Sequence, residues 1–117
     1  MLLAIFDDCA NFEEIERLNA KVLKVLNGRK CSIVSSKFGT GAEAIASNNG
    51  FEFIYSWKPD SKFGNIIQMV CSHPSCAVIF TNKNNANEFM DELKTKNLNK
   101  KVPIKLWEKE VTSQNVS

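Results

Sequence analysis

The sequence predicts an α/β fold: a single three-layer αβα Rossmann-like domain whose five-stranded parallel sheet has the strand order 3-2-1-4-5. Three observations lead to this prediction. Short apolar runs alternate with stretches of helical periodicity along the chain. Helices between consecutive strands favour a parallel sheet with helices on both faces. The run "CAVIF" is apolar at every position, which is typical of a strand buried on both sides.

The first strand and the first helix are predicted near the N-terminus. "LLAIF" at 2–6 has the length and composition of a buried strand. Asn11 and Glu14, three residues apart, form a predicted N-cap pair, and Gly28 is the predicted end of the helix. One face of this helix carries the apolar residues Ile15, Leu18, Val22, Val25 and Leu26.

Two strands with a short helix between them follow. "KCSIVS" at 30–35 is the second strand, and "GAEAIASNNG" at 41–50 is a short helix closed by Gly50. "FEFIYSW" at 51–57 is the third strand. Successive side chains of a strand point to opposite faces. One face of the third strand is therefore predicted to carry Phe51, Phe53, Tyr55 and Trp57.

The next part of the chain is predicted to form a helix, a strand and a second helix. The helix lies within 59–74 and ends at Pro74, because proline cannot continue it. "CAVIFT" at 76–81 is the fourth strand. The following helix, at 84–97, places four apolar side chains at helical spacing, namely Ala86, Phe89, Met90 and Leu93.

The fifth strand is predicted at 102–108. Its Pro103 suits the edge of a sheet, because proline cannot donate a hydrogen bond to a neighbouring strand. The residues that follow are polar, as in a frayed terminus. We therefore predict one domain over residues 1–110 and a flexible C-terminal tail over 111–117.

Composition and charge argue against several classes of protein. The 117 residues carry a net charge of +2, so no strong field points to nucleic acid as a partner. The N-terminal "MLLAIFDD" lacks the basic region of a signal peptide, and no apolar run reaches the ~20 residues of a membrane span. We expect a cytoplasmic protein with no membrane partner. The chain has one histidine and no CxxC motif. We therefore expect reduced cysteines, and we expect neither a bound metal nor a cofactor.

Polar residues follow the predicted strands where each strand ends. In parallel sheets of this type, ligands bind at the carboxyl ends of the strands, near the point where the strand order reverses. Hydroxyls, amides, lysine and glycine at that edge suit a phosphate- or ribose-bearing small molecule, although loops are polar in any protein. The candidate ligand-binding residues are Asp7, Asp8, Ser36, Lys37, Gly39, Thr40, Gly41, Glu43, Trp57 and Asn82.

The loop "SSKFGTG" at 35–41 leads into a predicted helix start, where unpaired N–H groups favour an anion. Gly39 and Gly41 would let the backbone approach a phosphate closely, and Ser36 and Lys37 would add donors. The loop lacks the complete G-x-G-x-x-G fingerprint and the G-K-[ST] of a P-loop. It is therefore a weak phosphate motif when taken alone.

The other candidates have structural alternatives. Thr40 and Glu43 have the spacing of a capping box, in which both side chains bond to the helix start. Asp7 or Asp8 would bind a ribose hydroxyl, and only one of them should face the site because neighbours in a strand alternate. Aspartate equally favours turns and helix entries. Trp57 would stack on a base or pack against the edge of the sheet.

The segment from Val34 to Phe80 resembles the YspA-like branch of the SLOG superfamily. These are small Rossmann-like proteins related to the lonely-guy phosphoribohydrolases and to the DprA-like DNA-processing proteins. The "GAE" at 41–43 is similar to the "GAD" step with which the family opens a helix. Trp57, Lys58 and Gly64 are similar to its tryptophan–lysine–glycine segment. The resemblance implies a nucleotide-derived ligand.

The chain departs from the family pattern at two strand ends. "DD" at 7–8 stands where the family has a serine–arginine pair, and "SS" at 35–36 stands where it has two glycines. These departures weaken the phosphate binding that the resemblance implies. They also put into doubt the hydrolase activity of some relatives.

Three functions from different classes follow from these observations. The first is a small nucleotide-binding protein without catalysis. The second is a nucleotide N-glycosidase or phosphoribohydrolase, which needs a carboxylate near the anomeric carbon, with Glu43 or Asp8 as candidates. The third is an interaction or inhibitor module on a degenerate Rossmann scaffold, encoded by a phage. A protein partner and a homodimer are left open.

Overall fold

The structure, a computed structural model, describes residues 1–37, 39–63, 65–96 and 102–108. The tail predicted at 111–117 and Gly64 of the family-like segment lie outside the described residues. Strands and helices alternate as predicted. Their bounds are β1 Leu2–Phe6, α1 Phe12–Leu26, β2 Ser32–Ser35, α2 Gly41–Asn49, β3 Glu52–Tyr55, α3 Ile66–Ser72, β4 Cys76–Phe80, α4 Lys83–Thr95 and β5 Ile104–Leu106.

The five strands form one parallel sheet in the order β3-β2-β1-β4-β5, which confirms the predicted fold. β1 lies at the centre, where Leu3 pairs with Ile33 on one side and with Ala77 on the other. Every residue of β1 and of β4 is buried. This burial explains why the two strands have uninterrupted apolar sequences.

Alternation along β1 separates two hydrophobic cores. Leu3 and Ile5 pack with apolar residues of α1 and α2, whereas Leu2, Ala4 and Phe6 pack with those of α3 and α4. The helices thus change from one face of the sheet to the other between β1 and β4, which are neighbours. In open parallel sheets, this switch point leaves a crevice at the carboxyl ends of the strands.

Both edge strands are shorter than predicted. β3 spans only Glu52–Tyr55, although Phe51 and Phe53 pack together on the α1–α2 face as their alternation predicts. Trp57 lies beyond the end of the strand with 56% of its surface exposed. β5 is an edge strand, as Pro103 predicted. Since edge strands bury less surface, their ends are poorly marked by apolar pattern.

Helix α1 begins and ends close to the predicted residues. The Asn11 side chain accepts a hydrogen bond from the Glu14 N–H at 2.9 Å, and the Glu14 carboxylate accepts one from the Ala10 N–H at 2.7 Å. The helix ends at Leu26, followed by Asn27 in the left-handed conformation. Leu18, Val22 and Leu26 are the buried residues of the predicted apolar face.

Four phenylalanines form a compact cluster on the α3–α4 face, and we call them the phenylalanine cluster: Phe6, Phe63, Phe80 and Phe89. The Phe6 ring lies 5.1 Å from the rings of both Phe63 and Phe80 between centroids. Phe89 contacts the other three rings. Phe6 and Phe80, the last residues of β1 and β4, place the cluster at the carboxyl edge of the sheet.

Candidate functional site

A cavity of about 200 Å³ opens at the carboxyl edge of the sheet, and we call it the carboxyl-edge cleft. Its walls come from the ends of β1 and β2, from the segment after β3 and from the start of α4, as the topology requires. The lining residues are Phe6, Asp7, Ser35, Ser36, Lys37, Trp57, Lys62, Phe63 and Asn85.

The bottom of the cleft is apolar, whereas its rim is polar. Phe6 and Phe63 meet edge to face at the bottom, with an interplanar angle of 83°. Both rings are almost completely buried in the phenylalanine cluster. Small-molecule sites commonly combine such apolar walls with a few polar groups that orient the ligand.

Two lysines and a tryptophan stand at the rim. Lys37 is exposed, and its N–H is held by the Ser35 hydroxyl at 3.3 Å. The Lys62 ammonium pairs with Glu88 at 2.7 Å, but both side chains are about half exposed, so the pair adds little to stability. The exposed indole of Trp57 completes the rim. This arrangement offers an aromatic face and two positive charges to a ligand.

Asp7 also lines the cleft, but its carboxylate is engaged within the protein. The residue is 4% exposed. Its oxygens accept hydrogen bonds from the N–H groups of Gly41 at 3.2 Å, of Ala42 at 3.1 Å and of Cys9 at 3.2 Å. Gly41 and Ala42 are the first residues of α2. Asp7 therefore places a negative charge where the N-terminus of α2 favours an anion.

The capping box predicted at the start of α2 was wrong. Thr40 precedes the helix, but its side chain makes no capping hydrogen bond, and its buried Oγ1 has no partner among the described residues. The Glu43 carboxylate accepts from the Gly39 N–H at 3.0 Å instead of from Thr40. The buried Asp7 carboxylate already satisfies the first two N–H groups of α2, so Thr40 is not needed as a cap.

The absence of a side chain at Gly41 lets the Asp7 carboxylate approach the start of α2 closely. A Cβ atom added at Gly41 would lie 2.8 Å from Oδ2 of Asp7 and 3.2 Å from its Cγ. Contacts below 3.0 Å are essentially never made by real Cβ atoms. The close approach expected of a glycine in this loop is thus made to a side chain of the protein.

Several of the predicted site residues lie outside the cleft. A shallower groove between the starts of α1 and α2, which we call the α1–α2 groove, is lined by Gly39, Thr40, Gly41 and Glu43 together with residues of α1. The predicted residues that line the cleft are Asp7, Ser36, Lys37 and Trp57. The candidates that follow β2 are therefore divided between two surfaces.

Asp8 does not line the cleft and contacts Thr81, the residue that follows β4. Its backbone N–H donates to the Thr81 hydroxyl at 2.9 Å, and that hydroxyl donates to the Asp8 carboxylate at 2.5 Å. The two hydrogen bonds join the ends of β1 and β4 at the switch point. Of the two adjacent aspartates, Asp7 lines the cleft and Asp8 does not.

Asn82 caps α4. Its side-chain oxygen accepts a hydrogen bond from the Asn85 N–H at 3.2 Å, and it does not line the cleft. We expect Asn82→Ala to lower the free energy of unfolding by about 1 kcal/mol, because the helix loses its N-cap.

Urea unfolding followed by circular dichroism measures this loss. Asn82→Asp should retain most of the stability, and Asn84→Ala, an exposed change in the first turn of α4, should cost less than about 0.5 kcal/mol. Equal losses for Asn82→Ala and Asn84→Ala would contradict the capping role.

Sequence reasoning missed five residues of the cleft, namely Phe6, Ser35, Lys62, Phe63 and Asn85. Phe6 and Ser35 are the last residues of their strands, and the other three lie in segments that follow predicted strands, so the sequence indicated the general position of the edge. Lys62 and Phe63 lie several residues beyond β3 and reach the cleft only because the chain turns back at Lys58–Ser61. No local periodicity signals that return.

The cysteines are thiols, as predicted. Burial, followed by the negative charge of Asp7, raises the pKa of Cys9 to about 12, and burial raises the pKa of Cys31. A thiol held neutral in this way is a poor nucleophile.

Among the described residues, no group of three or more His, Cys, Asp or Glu is placed to hold a metal ion. Within the same ranges, no helix has the length and apolar character to cross a membrane.

Comparison with protein-family models, with curated proteins and with solved structures gives no significant match for the chain.

Proposed function

We propose that the protein binds a nucleotide-type small molecule in the carboxyl-edge cleft. The observation that carries the proposal is the meeting of an aromatic face, two lysines and hydroxyl and amide groups over an apolar bottom, at the switch point of a parallel sheet. In this proposal Trp57 stacks on the base, Lys37 and Lys62 hold the phosphate, and Ser36 and Asn85 bond to sugar or base.

The charge arrangement favours an anion at the rim of the cleft. Lys37 is exposed, and Lys62 can exchange its solvent-exposed contact with Glu88 for a phosphate at low cost. Aromatic stacking on a base contributes about 1–3 kcal/mol in single-stranded nucleic-acid complexes. Trp57 has the exposure that such stacking requires.

We do not extend the proposal to catalysis. Asp8 and Glu43, the two carboxylates considered for an N-glycosidase, lie outside the cleft. Asp7 is the carboxylate that lines it, and its oxygens are engaged by three backbone N–H groups. Membership of the SLOG superfamily is compatible with the sheet order, but this fold hosts many functions and does not choose among them.

Ligand titration monitored by tryptophan fluorescence tests the proposal. In a Trp107→Phe background, Trp57 is the remaining tryptophan, so its emission reports on the cleft. We expect saturable changes with at least one member of a panel of nucleoside mono- and diphosphates, ADP-ribose and cyclic dinucleotides. Lys37→Ala should weaken binding about tenfold or more, because a charge-assisted contact is lost.

Lys58→Ala is the matched control. Lys58 is an exposed lysine next to Trp57, but it does not line the cleft, so its removal should change affinity less than about threefold. The absence of binding across the panel at millimolar ligand, confirmed by calorimetry, would overturn the proposal. An equal loss for Lys58→Ala and Lys37→Ala would overturn the placement of the ligand.

A further inference from the structure

We propose that Asp7 determines which ligands the carboxyl-edge cleft accepts, because its carboxylate fills the anion position at the start of α2. This inference rests on the proposed function for the identity of the site, and it restricts the ligand class. The cleft takes a nucleotide whose phosphate lies at Lys37 and Lys62. It rejects a phosphate at the helix start, where dinucleotides are held in Rossmann domains.

The position that Asp7 occupies is a built anion site. Three backbone N–H groups from two separate segments converge on one carboxylate at 3.1–3.2 Å, and the residue is 4% exposed. Two of these donors belong to the first turn of α2, a helix of nine residues. Converging N–H groups and the helix dipole are the same features that hold a phosphate in nucleotide-binding loops.

Sterics and charge both exclude a second anion from this position. The Asp7 carboxylate itself occupies the space beside Gly41, since even one carbon added at Gly41 would lie 2.8 Å from its oxygen. A phosphate brought to the same N–H groups would also meet the negative charge of Asp7 in a poorly solvated place. Lys37 and Lys62, the lysines that line the cleft, are then the cationic groups that remain for a ligand.

The first test uses inorganic phosphate as the probe and needs no nucleotide. In the wild-type protein, the amide resonances of Gly41 and Ala42 should not shift when phosphate replaces chloride at constant ionic strength. In Asp7→Ala, phosphate should shift both resonances and raise Tm by roughly 5 °C at about ten times its Kd, because it satisfies the N–H groups that the substitution leaves unpaired.

Asp8→Ala is the matched control, since it removes an equal charge from the adjacent residue, whose carboxylate bonds to Thr81. It should show no phosphate-dependent shift at Gly41 or Ala42. If Asp7→Ala does not fold, Asp7→Ser replaces it, because a hydroxyl can accept from one of the N–H groups. Phosphate-induced shifts at these amides in the wild type, or their absence in the folded Asp7 variants, would overturn the inference.

The second test concerns the nucleotide. Asp7→Asn removes the charge while keeping the size of the side chain, and it should raise affinity for a nucleoside monophosphate about tenfold by removing repulsion. Unchanged affinity would count against the role of Asp7 in selection. If neither protein binds any nucleotide while phosphate still binds to Asp7→Ala, the proposed function fails, and the assignment of the α2 anion position to Asp7 stands.

Discussion

Truncation of Phe89 to alanine is expected to lower the free energy of unfolding by about 3–5 kcal/mol. The Phe89 ring is fully buried and lies 5.2–5.8 Å from the centroids of the three other rings in the phenylalanine cluster. The substitution removes apolar burial and all three ring contacts, and it leaves a cavity that packed neighbours fill only in part. Such a loss is a large share of the stability of a domain this size.

Urea unfolding followed by circular dichroism measures this effect. Phe12→Ala is the matched control, because the same side chain is removed from a residue that is 69% exposed at the start of α1. The control should cost less than about 0.5 kcal/mol. A loss below about 1 kcal/mol for Phe89→Ala would contradict the packing of the cluster. The variant should also weaken ligand binding, since Phe6 and Phe63 form the bottom of the cleft.

Alanine at Gly41 is expected to destabilise the protein by about 1–3 kcal/mol, a cost typical of overpacking. The new Cβ would lie 2.8 Å from the Asp7 oxygen and would push the carboxylate away from the start of α2. Elsewhere at a helix start, glycine to alanine commonly stabilises, because the unfolded chain loses conformational freedom. The sign of the effect therefore depends on Asp7.

A double-mutant cycle isolates this dependence. In the Asp7→Ala background, the nearest atom to the new Cβ is an Ile15 carbon at 3.4 Å, which is an ordinary contact. Gly41→Ala should there be neutral or stabilising by up to about 1 kcal/mol. In the Asp8→Ala background it should remain as destabilising as in the wild type. The same cost in all three backgrounds would show that Asp7 is not the obstacle.

The fold could be predicted from the sequence because the patterns that indicate its strands and helices are local. Apolar runs marked β1 and β4, and a period of 3.6 residues marked α1 with its Asn11 cap. The alternation of strands and helices then favoured a parallel sheet with helices on both faces. The ends of β3 and β5 were overestimated, because edge strands bury little surface and carry weaker patterns.

The candidate site could be predicted from the sequence only in part. Sequence reasoning placed polar residues at the carboxyl edge, and Asp7, Ser36, Lys37 and Trp57 do line the cleft. It assigned the start of α2 to Thr40 and Glu43, because a capping box is recognised by a spacing of three residues. The residue that fills this position, Asp7, precedes Gly41 by 34 positions.

The sequence by itself determined the order of the elements, the central buried strands and the edge at which polar residues collect, since each depends on short-range periodicity. The tertiary structure alone decided which aspartate faces the cleft, that Asp7 and Gly41 are partners, and that Lys62 and Asn85 complete the rim. These contacts depend on the pairing of β1 with β2 and on the faces that the helices cover. They join residues that are far apart in the sequence, and local sequence patterns do not predict such long-range contacts.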